Sequence, residues 1–310
     1  MRIGRREIEL SNTQKVFFPE AGLTKGDVVS YYAEVAEVML PYMKGHGVSM
    51  QRYPDGLQGG SFYMKDMPDY FPEWLPCESV PKRDGGSYCA PVVNEAAALV
   101  YLANQAVLTP HLYLARADDL EHPDRMIFDL DPPEGTEDFA AVRQAAQDVR
   151  ALLEELDLPS WIMTTGSKGY HVVVPLDRSA DYDEVRDFAR DAALVLVRRQ
   201  QDRYTLEIRK NKRTGRVFLD VLRNAYGASA VAPYAIRARP GAPVATPIEW
   251  EELEAGVGPR DFSVTSIPAR LEEKGDPWAQ MLRRARSLRP RRRKLDRLLA
   301  HEEQAEEEKD

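Results

Sequence analysis

Three aspartates in two apolar segments are the residues best suited to chemistry. Asp129 and Asp131 end the run over residues 125–131, and Asp220 lies in a second apolar run about ninety residues later. Side chains on a strand alternate between its faces, so Asp129 and Asp131 point the same way. Carboxylates gathered in this way repel one another unless a cation lies between them, and Mg²⁺ or Mn²⁺ takes carboxylate oxygens. The pattern predicts a divalent-metal site, although Asp and Pro at residues 129–133 also suit an ordinary turn.

A loop flanked by glycines lies between the two acidic segments. Residues 160–165 and 170–175 are predicted strands, and Gly-Ser-Lys-Gly at 166–169 joins them in a tight turn. The backbone N–H groups of such a turn, with Ser167 and Lys168, suit a triphosphate, and His171 opens the second strand. The spacing is not that of a Walker loop. An ordinary β-turn remains the alternative interpretation.

These segments, in this order, resemble the polymerase domain of bacterial ligase D. That family consists of primase-polymerases of the archaeo-eukaryotic primase superfamily that are used in non-homologous end joining. The similarity extends from about Leu10 to about Ile267. It includes residues 15–19, 23–27, 128–132, 165–171, 217–220, 223–224, 231–234 and 237–241.

The resemblance implies specific residues for catalysis, for nucleotide binding and for DNA binding. Asp129, Asp131 and Asp220 would be the catalytic residues and would hold two Mn²⁺ or Mg²⁺ ions. The residues implied in nucleotide binding are Ser167, Lys168, His171, His111, Arg237, Arg239 and Asn224. Those implied in DNA binding are Lys15 and Lys25, which would grip a downstream 5′-phosphate, and Phe62 and Lys65 near the template. Many relatives have Gln-Asn where this chain has Arg223-Asn224.

The composition places bounds on the class of protein. With 310 residues, 43% hydrophobic and 30% charged, the chain can bury a large core and is typical of a soluble globular protein. No apolar run approaches the roughly 20 residues of a membrane helix, and the first residues lack a signal sequence. We therefore expect a cytoplasmic, nucleoid-associated protein without a membrane partner. Cys77 and Cys89 have no His neighbours at metal-ligand spacing, and we expect reduced thiols.

The charge distribution matters more than the total for a nucleic-acid partner. The net charge of −8 argues against such a partner, because phosphates attract cations. Basic stretches at residues 198–199, 209–213 and 237–239 are nevertheless consistent with a basic groove on an acidic body. Residues 290–310 are predicted to be a charged, flexible tail, with a basic DNA-binding arm or a linker to a further module as alternatives.

The order of elements predicts an α+β protein. Residues 24–43, 94–107, 137–156, 181–200 and 250–288 are predicted to be helical, and strands are predicted at 125–131, 160–165, 170–175, 204–210 and 216–222. This succession fits a mostly antiparallel or mixed sheet with a split βαβ element, like that of RNA-recognition domains. We predict an N-terminal α/β lobe (1–115), a primase-like catalytic lobe (116–289) and the tail (290–310).

Three functions from different classes follow. The first is a DNA-directed nucleotidyltransferase that extends a primer at gaps or broken ends with a downstream 5′-phosphate, using NTP or dNTP and preferring ribonucleotides, as the resemblance implies. Its implied partners are the bacterial Ku end-binding protein and a DNA ligase. The second is a two-metal phosphodiesterase or nuclease, and the third is a non-catalytic module that binds DNA ends. The loop at residues 166–169, which we call the phosphate loop, favours the nucleotidyltransferase over the nuclease. The intact aspartates favour the nucleotidyltransferase over the non-catalytic module.

Overall fold

The computed structural model describes residues 1–133, 135–136 and 139–308. The strands are β1 (Arg2–Ile3), β2 (Arg6–Glu7), β3 (Val16–Phe18), β4 (Leu23–Thr24), β5 (His46–Arg52), β6 (Phe62–Met64), β7 (Cys77–Pro81), β8 (Ser87–Pro91), β9 (Val107–Arg116), β10 (Asp119–Pro123), β11 (Arg125–Asp131), β12 (Trp161–Thr164), β13 (Tyr170–Pro175), β14 (Tyr204–Thr205), β15 (Val217–Asp220), β16 (Ser229–Val231) and β17 (Pro247–Ile248). The α-helices are α1 (Lys25–Glu34), α2 (Ala36–Met43), α3 (Ala96–Asn104), α4 (Phe139–Glu155), α5 (Tyr182–Arg199), α6 (Trp250–Glu254), α7 (Ile267–Lys274) and α8 (Arg289–Glu307).

The chain divides into two compact units, and each unit is made of three separate segments of the chain. The first unit comprises Met1–Leu120, Ser229–Thr246 and Arg260–Asp276. The second comprises Glu121–Ala228, Pro247–Pro259 and the chain from Pro277 onwards. The division near residue 120 lies close to the predicted boundary at 115, but the prediction did not include the two returns to the first unit. The first return is fixed by backbone pairing, because β16 lies antiparallel to β9.

The first unit is built on a sheet in the order β10-β9-β5-β6, with β16 also paired to β9. Helix α1 begins at the capping box that its sequence predicts, in which Thr24 accepts from the Asp27 backbone N–H and Asp27 accepts from the Thr24 N–H. The single helix expected up to Met43 is interrupted at Val35, where α1 ends and α2 follows. Helix α3 is shorter than predicted, because Val107 already belongs to β9.

The second unit contains the predicted split βαβ element. The chain runs β11-α4-β12-β13-α5-β14-β15, and the sheet order is β14-β15-β11-β13-β12-β17. All neighbouring pairs given for this sheet are antiparallel except β14 with β15. Helix α4 buries Val142, Ala145 and Val149 at helical spacing and packs against β11 and β13. This arrangement confirms the α+β fold class.

Several predicted elements of the second unit differ in extent. Residues 137–138, at the start of the predicted helix 137–156, lie outside the described residues. The strand expected over 204–210 is limited to β14, because the following segment forms a short 3-10 helix, Lys210–Lys212. The continuous helical region expected over 250–288 is divided into α6, α7 and the 3-10 helix Met281–Arg284. No helix in the described part of the chain is long and apolar enough to cross a membrane.

The two cysteines form a disulfide, so the expectation of reduced thiols was wrong. Strands β7 and β8 make an antiparallel hairpin in which Ser79 lies opposite Cys89, and Cys77 lies two residues before Ser79. This register places the Cα atoms of Cys77 and Cys89 5.4 Å apart, within the range that a disulfide requires. The residue spacing alone did not reveal the hairpin register.

The C-terminal segment is a docked helix rather than the flexible tail that its charge run predicted. Helix α8 packs along α5 and buries Leu295 completely. Ion pairs join the two helices: Arg292 contacts Asp191 at 2.6 Å, and Arg199 contacts Glu302 at 2.8 Å. The charges of α8 are therefore partly matched by those of α5, a correspondence that a local charge pattern does not show.

Replacement of Leu295 by Ala tests this docking. We expect a loss of about 2–5 kcal/mol in the free energy of unfolding of the second unit, because a fully buried Leu leaves a cavity. Chemical denaturation of the full chain measures it, with the half-buried Leu298→Ala as the matched control. Equal, small losses for both variants would show that α8 does not pack as described.

Candidate functional site

Three side chains form one row across adjacent strands of the second unit. In the antiparallel pairing of β11 with β13, Asp129 lies opposite His171. In the pairing of β11 with β15, the same Asp129 lies opposite Asp220. Directly opposed residues of antiparallel strands have Cβ atoms about 4.5–5.5 Å apart on the same face. Asp131 lies on that face two residues further along β11, so the structure brings together the three aspartates that the sequence singled out.

The carboxylates of this row raise one another's proton affinity. Burial raises the pKa of Asp131 to about 6, with further contributions from the negative charges of Asp129 and Asp220. Burial and the charge of Asp129 also raise the pKa of Asp220 above its ordinary value. The backbone N–H of Leu222 donates to Asp220 at 2.8 Å and partly offsets that rise. Both shifts come first from burial and second from the neighbouring negative charges.

Asp129 is the exception, because two cationic or hydrogen-bonding groups hold it. Burial alone would raise the pKa of Asp129, but His171 and Arg223 outweigh burial and lower the pKa below its usual range. The Nε2 atom of His171 lies 3.4 Å from one carboxylate oxygen, and Nε of Arg223 donates to the other at 3.2 Å. The side chain of Arg223 is 43% exposed, so it reaches the carboxylate from the solvent side.

The donor set of the row suits a hard divalent ion. Asp129, Asp131 and Asp220 offer only carboxylate oxygens, which Mg²⁺ and Mn²⁺ prefer. The raised pKa values of Asp131 and Asp220 show the uncompensated charge that such an ion would neutralise. Among the described residues, no three His, Cys, Asp or Glu side chains are already gathered around one point as a metal cage. Of the three carboxylates, Asp129 is the one that contacts Arg223 and His171, so an ion bound there would compete with these two side chains.

The predicted phosphate loop is a closed hairpin turn. The N–H of Thr165 donates to the Gly169 carbonyl at 3.0 Å, and the Gly169 N–H donates to the Thr165 hydroxyl at 3.2 Å. Gly166 has φ of +62°, which favours glycine. A Cβ atom at Gly169 would lie 1.7 Å from the Leu130 carbonyl oxygen, so the turn packs directly on the strand of the aspartates. The turn leaves the Lys168 side chain exposed.

Asn224, which was predicted to bind the nucleotide, is a buried residue that holds the backbone together. Its side chain is completely buried, and its amide oxygen accepts from the Ile127 N–H at 2.8 Å. Its amide nitrogen donates to the carbonyls of Ile127 and Val221, at 2.7 and 2.9 Å. These bonds tie the turn after β15 to β11, and they position the neighbouring Arg223 instead. The contact between Arg223 and Asp129 was missed, since only the strand register and this turn create it.

In the first unit, Lys15 and Lys25 lie together at the start of α1. The Lys25 backbone N–H donates to the Lys15 carbonyl at 2.8 Å. The buried Lys25 ammonium donates to the Ser11 carbonyl at 2.6 Å and its hydroxyl at 3.0 Å. Burial, followed by the charge of Lys15, lowers the pKa of Lys25. Two ammonium groups at a helix N-terminus are suited to an anion.

Exposed aromatic side chains occupy another part of the first unit. Phe62 and Tyr63 on β6 are 44% and 62% exposed. The Arg52 guanidinium carbon lies 5.7 Å from the centre of the Phe62 ring, and the Tyr63 ring centre lies 5.6 Å from that of His111. The Lys65 ammonium lies 5.9 Å from the Tyr88 ring. Exposed rings next to cations suit the stacking of nucleic-acid bases.

Arg237 and Arg239 lie on one turn of the first unit. The Arg239 N–H donates to the Arg237 carbonyl at 2.8 Å, and the turn is closed by a bridge between Ile236 and Val244. Both side chains are half-buried. The structure thus places His111, Arg237 and Arg239 in the first unit, and the aspartates and the phosphate loop in the second.

Comparison with known proteins gives consistent matches. The model of the LigD primase-polymerase domain matches residues 24–278. The multifunctional non-homologous end joining protein LigD of Mycolicibacterium smegmatis is 34% identical over 276 residues, which are 88% of this chain and 36% of that protein. The protein of the same name from Pseudomonas aeruginosa is 34% identical over 275 residues, 88% of this chain and 32% of that protein. The chain therefore spans about a third of the length of these two relatives.

A solved structure gives the same answer for the fold. The polymerase domain of Mycobacterium tuberculosis ligase D, in complex with DNA, matches with a TM-score of 0.84 and 31% identity. The match covers 90% of this chain and 99% of that one. A split βαβ sheet with a row of carboxylates, matched at this level, defines a polymerase of the nucleotidyltransferase type. More particularly, the chain belongs to the LigD primase-polymerase family.

The crowding of charge predicts that Asp131 limits stability. Its pKa of about 6 in the folded chain exceeds the ordinary value of 3.8, so the folded chain binds this proton more tightly. The stabilisation from this proton is present at pH values below 3.8 and is lost as the pH rises through 6. Without divalent ions, Asp131→Asn should therefore melt at a higher temperature than the parent above pH 6, by about 2–4 °C for each kcal/mol relieved.

Thermal melting in a chelating buffer across this pH range measures the effect. The exposed Asp202→Asn in the same unit is the matched control and should follow the parent curve. A melting temperature of Asp131→Asn that stays at or below the parent value above pH 6 would contradict the charge crowding.

Proposed function

We propose that this chain extends the 3′ end of a primer on DNA at gaps or broken ends, as a step of non-homologous end joining, and that it prefers ribonucleotides. The observation that carries the proposal is the row of Asp129, Asp220 and His171, with Asp131 beside it and the phosphate loop packed on the same strand. The relatives named above are end-joining proteins, and the solved relative is in complex with DNA. Both support DNA as the partner.

The aspartates are proposed to hold two Mn²⁺ or Mg²⁺ ions. Such a pair of ions, when bound, stabilises the attacking and leaving oxygens of an in-line phosphoryl transfer. Asp129, Asp131 and Asp220 supply the negative charge that retains them. The protein's further contribution is position and electrostatic stabilisation rather than covalent chemistry.

The loop residues are proposed to bind the triphosphate of the incoming nucleotide. Lys168 is exposed at the tip of the turn and offers a mobile ammonium group. Ser167 follows Gly166, which has a left-handed backbone, and its hydroxyl is a further donor for a phosphate. His171 is buried at the base of the loop, with Nε2 on Asp129, and can orient that carboxylate. The roles of His111, Arg237 and Arg239 on the nucleotide rest on the family resemblance.

Lys15 and Lys25 are proposed to bind the 5′-phosphate on the downstream side of a gap. Lys25 is held in place by Ser11, and Lys15 forms an ion pair with Asp55 that a phosphate would compete for. Phe62 and Lys65 are proposed to contact the template strand, since an exposed ring and a cation suit bases and phosphates. We further propose bacterial Ku and a DNA ligase as partners, and a cytoplasmic, nucleoid-associated location.

Primer extension on a gapped duplex tests the proposal directly. With Mn²⁺ and either ribo- or deoxyribonucleotides, the chain should lengthen a labelled primer, and ribonucleotides should be added faster. Asp129→Ala should remove the activity, because the carboxylate at the centre of the row is lost. Asp202→Asn serves as the matched control and should retain it.

The other outcomes separate the alternative functions. A labelled strand that becomes shorter would contradict the polymerase and indicate a nuclease. Tight DNA binding without any change in strand length would indicate a module that binds ends. Extension by Asp129→Ala would contradict the assignment of the catalytic row.

The proposed 5′-phosphate site generates a separate prediction. Lys25→Met keeps the length of the side chain but removes the buried ammonium group. The parent should bind a gapped duplex with a 5′-phosphate more tightly than one with a 5′-hydroxyl, and the variant should lose most of that difference. A hydrogen bond to a charged group contributes about 1.5–3 kcal/mol, equivalent to roughly tenfold or more in affinity.

Fluorescence anisotropy measures the ratio of the affinities for the 5′-phosphate and 5′-hydroxyl duplexes. Thermal melting confirms that the variant is folded. The matched control is Lys44→Met, an exposed lysine of the same unit, which should leave the ratio unchanged. If Lys25→Met discriminates between the two duplexes as well as the parent does, the phosphate binds elsewhere.

A further inference from the structure

The C-terminal segment of the second unit exposes a group of arginines that the proposed site does not use. We define the arginine face as five exposed arginines from the 3-10 helix Met281–Arg284 and from α8. They are Arg283, Arg284, Arg289, Arg293 and Arg297. The segment lies outside residues 24–278, which the polymerase family model matches. The face is therefore not part of the polymerase core that this model describes.

Most of the arginine face is not neutralised by the protein. Arg289 contacts Glu184 at 3.3 Å. Among the described residues, Arg283, Arg284, Arg293 and Arg297 have no ion pair with a carboxylate. This contrasts with Arg292, which contacts both Asp191 of α5 and Asp296 of α8. The cations facing α5 are thus satisfied within the chain, whereas those facing solvent are available to another molecule.

The placement of these charges does not serve the helix itself. The N-terminus of an α-helix carries partial positive charge and favours acidic residues, and its C-terminus favours basic ones. Helix α8 has no acidic residue in its first turn and no basic residue in its last. Its arginines lie in the first half, and its exposed glutamates lie in the last turns. Since this order opposes the helix dipole, intrinsic helix stability does not account for the arginine face.

The geometry of the face suits an extended polyanion. Arg289, Arg293 and Arg297 follow one another at intervals of four residues, so they are neighbours along one side of the helix. Arg283 and Arg284 precede the helix in the sequence and are also exposed. Arginine binds phosphate through a planar group with several donors, and a row of such groups matches a repeating phosphate backbone. The net charge of −8 makes such a local cluster stand out against the rest of the chain.

We propose that the arginine face is a second DNA-binding surface, which holds the sugar-phosphate backbone of duplex DNA without reading its sequence. The proposal rests on the proposed function, in that DNA is already the substrate of the chain. Its expected effect is on affinity and on the salt dependence of binding, not on the chemical step. Phosphate contacts of this kind release counterions and therefore weaken as salt increases.

The test compares two double variants with the same change in net charge. Arg293→Gln/Arg297→Gln removes two members of the arginine face. Arg2→Gln/Arg5→Gln removes two exposed arginines of the first unit and is the matched control. Fluorescence anisotropy of the full chain with a long labelled duplex, at salt concentrations between about 50 and 200 mM, gives the slope of log affinity against log salt.

We expect the slope of the face variant to be smaller than that of the parent by about 1–2, since each phosphate contact contributes about 0.9. The control should keep the parent slope. Equal slopes for both double variants would overturn the proposal, as would tighter binding of a poly-glutamate peptide than of duplex DNA by the parent. Primer extension separates this failure from that of the proposed function. If the parent extends primers while the slopes are equal, only the second surface is contradicted.

Discussion

The constraint on which the second unit depends is the neutralisation of three carboxylates on adjacent buried strands. The register of β11 with β13 and β15 places Asp129 beside both His171 and Asp220, and both aspartates are buried. The chain responds in two ways. Arg223 forms an ion pair with Asp129, and the Nε2 atom of His171 lies beside the same carboxylate, while burial and neighbouring negative charge raise the pKa of Asp131 and of Asp220. This crowding of buried carboxyl groups is what the proposed binding of divalent ions would relieve.

Buried hydrogen bonds and close backbone packing hold these charged residues in position. Asn224 joins the turn after β15 to the middle of β11, so the third aspartate and Arg223 keep their places. Gly169 allows the phosphate loop to approach the Leu130 carbonyl, which no residue with a Cβ atom could do. Helix α8 adds a further layer on α5 through ion pairs. The functional row thus depends on contacts between residues that are far apart in the sequence.

The sequence predicted those features that local pattern determines. The strand 125–131, the hairpin around the phosphate loop and the capping box at Thr24 follow from alternation, glycine and capping chemistry, and the structure contains all three. The split βαβ order was also predicted from the succession of elements. The features that were missed depend on register or on distant partners. They are the Cys77–Cys89 disulfide, the Arg223–Asp129 contact, the returns of the chain to the first unit, and the docking of α8 on the complementary charges of α5.

The measurement that tests the central claim most directly compares Mn²⁺ binding by the parent and by Arg223→Gln. Electron paramagnetic resonance detects the bound ion. In this account Arg223 and the metal compete for Asp129, so removal of the guanidinium should tighten Mn²⁺ binding. The gain should be about two- to fivefold, because a partly exposed ion pair contributes up to about 1 kcal/mol. The control Arg203→Gln, away from the carboxylates, should bind as the parent does. Unchanged or weaker binding by Arg223→Gln would contradict the claim that this arginine competes with a metal ion for Asp129.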